Sequence, residues 1–180
     1  MVRIKMAEHK EKELKTKSYV DYVVNVNRVT KVTKGGKRFS FSAFVVSGDQ
    51  EGNIGIGLGK SKEVSQAIAK ATNRARKNMI TIPLRGATIP YEVVGHHGAS
   101  KVEIRPASKG TGVIAGGAVR SVMEALGIKD ILAKSVGSAN RQNVVKAALN
   151  ALSKLRSAGK LAAMRGKKIS EIVGEKNAVA

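Results

Sequence analysis

Residues 53–63, NIGIGLGKSKE, carry a glycine at every second position: Gly55, Gly57 and Gly59. Side chains of a strand alternate between its faces, so Ile54, Ile56 and Leu58 turn one way while the glycines leave the other face bare. A strand without side chains on one face admits another backbone at close range. A helix follows directly. Val64, Ala67, Ile68, Ala71, Ala75 and Met79 recur at helical spacing, Ser61 is a suitable N-cap and Glu63 falls in the first turn. Lys62, Gln66, Lys70, Asn73 and Lys77 gather on the opposite side of that helix.

The same stretch contains Gly59-Lys60-Ser61, the end of a phosphate-binding P-loop. A P-loop needs a leading glycine five positions before Gly59, because the wrapped backbone must aim several N–H groups at the phosphates. Ile54 stands there, and Gly55 is one residue too late. A P-loop enzyme also needs an acid at the end of an apolar strand to hold Mg²⁺, and none of the thirteen acids follows such a run. Lys60 and Lys62 are more simply cations beside a helix N-terminus, a favourable place for phosphate.

Upstream, residues 20–33 are strand-like, with Val24 and Val26 on one face; Val29 breaks the parity, which a bulge near Asn27 would restore. KRFSFSAFVVSG alternates Phe39, Phe41, Ala43 and Val45 against Ser40 and Ser42, the pattern of a half-buried strand, and GDQEGN is a turn. The first unit therefore reads as three antiparallel strands and a helix. TIPLRGATIPYE, with two prolines and a glycine, predicts a boundary. Beyond it PYEVVG, SKVEIRPA and DILAKSVG read as strands. One helix carries Val119, Val122, Met123 and Leu126 and closes at Gly127; a second buries Val145, Ala148, Leu149 and Leu152. From Ser157 onward only KKISEIVG suggests a short helix. The expected organisation is a charged, solvated arm over 1–18, units at 19–85 and 86–160, and a tail over 161–180.

Composition narrows the function. The 180 residues hold 33 Lys and Arg against 13 Asp and Glu, a formal charge of +20 that calls for a polyanionic partner. Both halves share it, with 18 basic and 7 acidic residues up to position 90, then 15 and 6. At 42% hydrophobic residues the chain can bury a core. No run approaches the roughly 20 apolar residues of a membrane span, the N-terminus lacks an apolar signal region, and the absence of cysteine permits the cytoplasm. Six Phe and Tyr and no Trp disfavour a module built on stacking single-stranded bases.

Further motifs invite an enzymatic or metal-binding reading. In GTGVIAGG, Gly110, Gly112 and Ala115 fit a dinucleotide fingerprint with Asp130 near the expected spacing. That acid should close a strand, however, whereas Asp130 opens DILAKSV. Small residues that allow close helix packing explain the motif. His96 and His97 are adjacent and would point to opposite strand faces, which suits no shared metal. No serine has a histidine and carboxylate in a nucleophile motif. No cofactor is expected. The most informative segment is NRVTKVTKGGKRFSF: Arg28, Lys31, Lys34, Lys37 and Arg38 crowd a hairpin with no acid among them, unfavourable unless a polyanion lies against it. Gly35 and Gly36 form a bare tip able to take positive φ. The phenylalanines behind it suit core packing better than an RNA-recognition strand, whose leading glycine is missing.

NRVTKVTKGGKRFSFSA, GIGLGKSKEV, PASKGTGVIAGGAVRSVMEALG and LAKSVGSANRQNVVKA, in that order, closely resemble the S-five family of bacterial-type small-subunit ribosomal proteins, over about Val20 to Gly174. The resemblance implies an α+β protein. Its N-terminal three-stranded antiparallel sheet plus helix is similar to double-stranded-RNA-binding domains, and its C-terminal four-stranded α/β domain has two helices and a left-handed βαβ connection. It further implies a structural, non-enzymatic role in the cytoplasm. The protein would bind small-subunit rRNA near the central pseudoknot and the neck of the head, beside the path by which mRNA enters, with ribosomal proteins S-four and S-eight as neighbours. Lys34 to Arg38 match the loop that reaches head rRNA near the spectinomycin site; Gly112 and Arg120 match positions at the S-four contact, where decoding accuracy is influenced. The expected rRNA-facing residues are Arg28, Lys31, Lys34, Gly35, Gly36, Lys37, Arg38, Lys60, Lys62, Lys70, Arg74, Lys77, Lys101, Arg105 and Lys109. The segment before Val20 departs from the family and takes no role from it.

Overall fold

The computed structural model describes residues 18–173; the expected arm up to residue 17 and the end of the tail lie outside the described residues. The first half forms β1 (Val20–Thr33), β2 (Gly36–Gly48), β3 (Asn53–Ser61), α1 (Val64–Lys77) and β4 (Met79–Thr81). Its antiparallel sheet has the order β1-β2-β3-β4. The three expected strands are present, extended by β4, which is too short at three residues to show a period. The second half comprises β5 (Val93–His97), β6 (Ser100–Pro106), β7 (Val113–Ile114), α2 (Gly117–Leu126), β8 (Ile131–Gly137), α3 (Arg141–Ser153), α4 (Ala158–Arg165) and α5 (Ile169–Val173). Its sheet order is β5-β6-β8-β7, mixed because β7 runs parallel to β8 across the α2 connection. The fold is α+β, as expected.

The alternating glycines seat α1. Ala67, Ala71 and Ala75 are fully buried along its inner side, and a Cβ on Gly55, Gly57 or Gly59 would lie 2.1, 1.9 or 2.1 Å from the carbonyl oxygens of Ala75, Ala71 and Ala67. Glycine on the strand and alanine on the helix thus bring backbone onto backbone. Ser61 does not cap this helix: it ends β3, and the cap position falls on Glu63 without a side-chain cap bond. The Ser61 hydroxyl instead donates to Gln66 Oε1 at 3.0 Å.

The β1 bulge lies at Val24, between Val23 and Asn25, rather than near Asn27. It turns Val24 into the core, and Arg141 at the start of α3 donates to the Val24 carbonyl at 3.2 Å. β2 is exposed from Gly36 to Phe39 and half-buried only at Ser40 and Phe41. From Ser42 onward it is buried on both faces, Ala43 and Val45 under α1 and Phe44 and Val46 in a core shared with the second half. The expected alternation fails there because a central strand is covered twice.

The two halves also join through backbone. The N–H groups of Gln50 and Gly52, in the β2–β3 turn, donate to the carbonyls of Ala125 and Leu126 at 3.1 and 3.2 Å, satisfying the open end of α2. Nearby Tyr22 faces Glu124; burial first, then the charge and hydrogen bond of Glu124, push the phenol's ionisation upward. The segment expected as a boundary is firmly packed, with Ile82 and Ile89 buried. Helix α4 carried a legible signal that periodicity missed: Ser157 Oγ caps it at Lys160 N–H, and Gly166 closes it in the left-handed conformation.

Gly57→Ala is expected to destabilise the fold by about 1–3 kcal/mol or more, since neither strand nor helix backbone can yield. Gly35→Ala, with nothing within 4 Å of its Cβ, should change stability by less than about 0.5 kcal/mol. Urea unfolding of both variants checks the pair.

Candidate nucleic-acid interface

β3 pairs with β2 only as far as Phe41 opposite Ser61. Beyond it the hairpin continues through five further β1–β2 pairs, Val29 with Ser40 to Thr33 with Gly36. At about 3.4 Å per residue this arm projects roughly 17 Å past the sheet. Among the described residues nothing covers its side chains: Lys31, Lys34, Lys37, Arg38 and Phe39 are all exposed. Lys31 stands directly across from Arg38, a like-charge pair that destabilises a free hairpin. Among the described residues, neither these two nor Arg28, Lys34, Lys37, Lys60, Lys62, Lys70 and Lys77 forms an ion pair with a carboxylate.

At the tip only Gly36 has positive φ, +137°, and Thr33 Oγ1 donates to its carbonyl at 3.0 Å. Gly35 is not in that region, so the expectation that both glycines serve the turn's conformation is corrected for Gly35. Phe44 is buried and Phe41 packs beneath α1, whereas Phe39 is 46% exposed and so does not serve the core as expected.

The register sorts the cations. Lys31 and Arg38 share the sheet face on which Lys60, opposite Ser42, also lies; Arg28 and Lys37 share the face that carries α1. On α1, Lys70, Arg74 and Lys77 line a shallow open depression with Gln66 and Asn73. Arg74 is partly engaged, donating to the Leu58 carbonyl at 2.9 Å, and Arg76 is held by Asp21 at 2.7 Å. Lys60 sits on a paired strand and not in a wrapped loop, so its backbone cannot cradle a nucleotide.

In the second half, Lys101 and Arg105 are exposed on β6, a strand of the second sheet. Arg105 is not a free cation: Glu103 meets it at 2.5 Å and Glu92 at 3.3 Å. The Glu103 hydrogen bond, then the charges of Glu92 and Glu103, raise its pKa further. Lys109 is exposed on the loop before β7. That loop hangs on Asp130, 5% exposed, whose Oδ1 accepts from the N–H groups of Gly110 and Gly112 at 2.9 and 3.0 Å. The residue resembling a ribose-binding acid is therefore a loop anchor. Gly112 has φ +77°, and Arg120 Nη2 donates to the carbonyl of its neighbour Val113 at 2.9 Å, so the structure brings Gly112 and Arg120 to one corner. The Asp130 role was invisible to spacing alone, because it depends on β7 lying beside β8.

An α+β scaffold with a projecting, acid-free basic hairpin is of the nucleic-acid-binding class; among the described residues no helix is long and apolar enough to cross a membrane. The family described as ribosomal protein S5, N-terminal domain, matches residues 19–83, and ribosomal protein S5, C-terminal domain, matches residues 95–165. The small ribosomal subunit protein uS5 of Lawsonia intracellularis is 55% identical over 149 residues, covering 83% of this chain and 91% of the relative. That of Flavobacterium psychrophilum is 57% identical over 152 residues, 84% and 87% of the two chains. That of Granulibacter bethesdensis is 50% identical over 170 residues, 94% and 90%. The chain belongs to the ribosomal protein S5 family. It is a structural ribosomal protein and not an enzyme.

Asp130→Ala should leave two N–H groups without their acceptor and cost about 1–3 kcal/mol. Hydrogen exchange should accelerate at Gly110 and Gly112, and less at Ala71 in α1, which checks that the loss is local.

Proposed function

We propose that the protein holds small-subunit rRNA through two basic surfaces of its N-terminal half, the hairpin and the outer side of α1, and contacts neighbouring proteins through its C-terminal half. The observation that carries this reading is the projecting hairpin, where Lys31 faces Arg38 with no carboxylate among the described residues to relieve them. A polyanion lying along the arm turns that repulsion into binding energy.

By family resemblance, the RNA is that near the central pseudoknot and the neck of the head, and the tip from Lys34 to Arg38 reaches head rRNA near the spectinomycin site. The corner formed by Gly112 and Arg120 meets S-four, through which the protein influences decoding accuracy beside the path of incoming mRNA; S-eight is a second neighbour. Lys101 and Lys109 extend the rRNA-facing set into the C-terminal half, while Arg105, held by two glutamates, contributes less. The functional units follow the proposed division at residue 85, on a body whose two halves are packed together.

Binding to small-subunit rRNA should weaken steeply with salt, with a log–log slope of magnitude about 0.7–0.9 per neutralised phosphate. Affinity measured across a salt series and found flat would overturn the reading. The tip separates fold from function. Gly36→Val strains the turn and should cost about 1–3 kcal/mol. At Gly35 an added Cβ meets no described atom within 4 Å, so Gly35→Val should leave free-protein melting unchanged while impairing subunit assembly or altering the spectinomycin response. Normal assembly and drug response of Gly35→Val would mean that the tip does not lie against RNA.

A further inference from the structure

The hairpin has two chemically different faces. Cross-strand partners share a face, so Val29, Lys31 and Thr33 lie with Ser40 and Arg38, while Arg28, Thr30 and Val32 lie with Phe41, Phe39 and Lys37. The first face is polar and cationic. The second adds exposed apolar surface, with Phe39 at 46% and Val32 at 71% exposure. Phe41, two residues along the strand, is partly buried against the cluster of Ala43, Val45, Ala67 and Ala71 beneath α1, and Phe39 is not part of that cluster.

Phe39 is not bare. The guanidinium carbon of Arg28 lies 3.7 Å from its ring centroid, close enough to stack on the ring and use its negative face. Arg28 is exposed and forms no ion pair with a carboxylate among the described residues. The ring thus holds a planar cation at low remaining entropy cost, with the guanidinium's other side turned away from the ring. Nucleobases stack on aromatic rings and on guanidinium planes, and phosphate alone has no use for a phenylalanine.

We propose that the Arg28–Phe39 face of the hairpin is a stacking site for one unpaired nucleobase, while the Lys31–Arg38 face takes phosphate. This rests on the reading of the hairpin as an rRNA-binding arm, and it adds a base contact where that reading needs only charge. The chain's poverty in aromatics argues against a whole stacking module, but not against one platform built from a ring and an arginine.

The test uses the full-length protein and full-length small-subunit rRNA. Phe39→Ala should lower affinity about tenfold without changing the salt slope, because no phosphate contact is lost. Phe39→Tyr should retain wild-type affinity. Arg28→Lys keeps the charge but not the plane, and should lower affinity at unchanged slope. Lys31→Ala should reduce the slope by about 0.7–0.9 and serves as the test of the arm itself. Ultraviolet cross-linking of the wild-type complex should place a nucleotide adduct on Phe39. If Lys31→Ala changes the slope while Phe39→Ala binds as wild type, the stacking site is wrong and the arm stands. If Lys31→Ala has no effect, the phosphate-binding arm is wrong; loss of affinity in Phe39→Ala, rescued by tyrosine, would still support stacking. A Phe39→Ala loss accompanied by a smaller slope overturns the proposal in favour of a displaced phosphate contact.

Discussion

The contact on which the N-terminal architecture depends is that of α1 against β3, in which helix carbonyl oxygens approach to about 2 Å from where strand Cβ atoms would be. Only glycine on one side and alanine on the other allow it. Because the inner side of α1 is committed to Ala67, Ala71 and Ala75, its long side chains must emerge on the outer side. Lys70, Arg74 and Lys77 are there for that reason. Tight seating thus sets both the packing and the direction in which the helix presents its charge.

A second constraint comes from the end of α2. Its last carbonyls lack intrahelical donors, and the β2–β3 turn of the other half supplies them through Gln50 and Gly52. Arg141 makes a further bond in the opposite sense, from α3 of the second half to the bulge carbonyl of Val24 in the first. Together with the shared core, these bonds join the two halves into one packed body. A protein that bridges RNA and protein neighbours benefits from such rigidity, since less freedom is lost on binding.

Charge is distributed with the same economy. The internal ion pairs use Asp21 with Arg76, and Glu92 and Glu103 with Arg105. Asp130 is spent on backbone N–H groups. The hairpin and the outer side of α1 receive no such partner among the described residues. Their cations raise the energy of the free protein slightly and lower that of a complex with a polyanion. The acidic residues therefore mark which cations belong to the fold, a distinction that net charge conceals.

Local pattern determined much of this protein. The glycine period, the alanine stripe, the acid-free hairpin and the Gly127 stop are each written within a few residues, because strand alternation, helical spacing and positive φ are local properties. The family motifs were legible for the same reason, being contiguous. Tertiary structure decided what depends on partners distant in the chain. The bulge sits at Val24 because the core shared by the two halves receives that side chain. β2 loses its alternation where a second layer covers it. β4 and β7 are too short to carry a period and exist only as additions to neighbouring strands. Arg74, Arg105 and Asp130 could be sorted from the free charges only once Leu58, Glu92, Glu103 and the loop before β7 were in place. Phe39, indistinguishable in pattern from Phe41, is exposed because α1 does not cover that part of the hairpin, a boundary set by packing and not by the alternation itself.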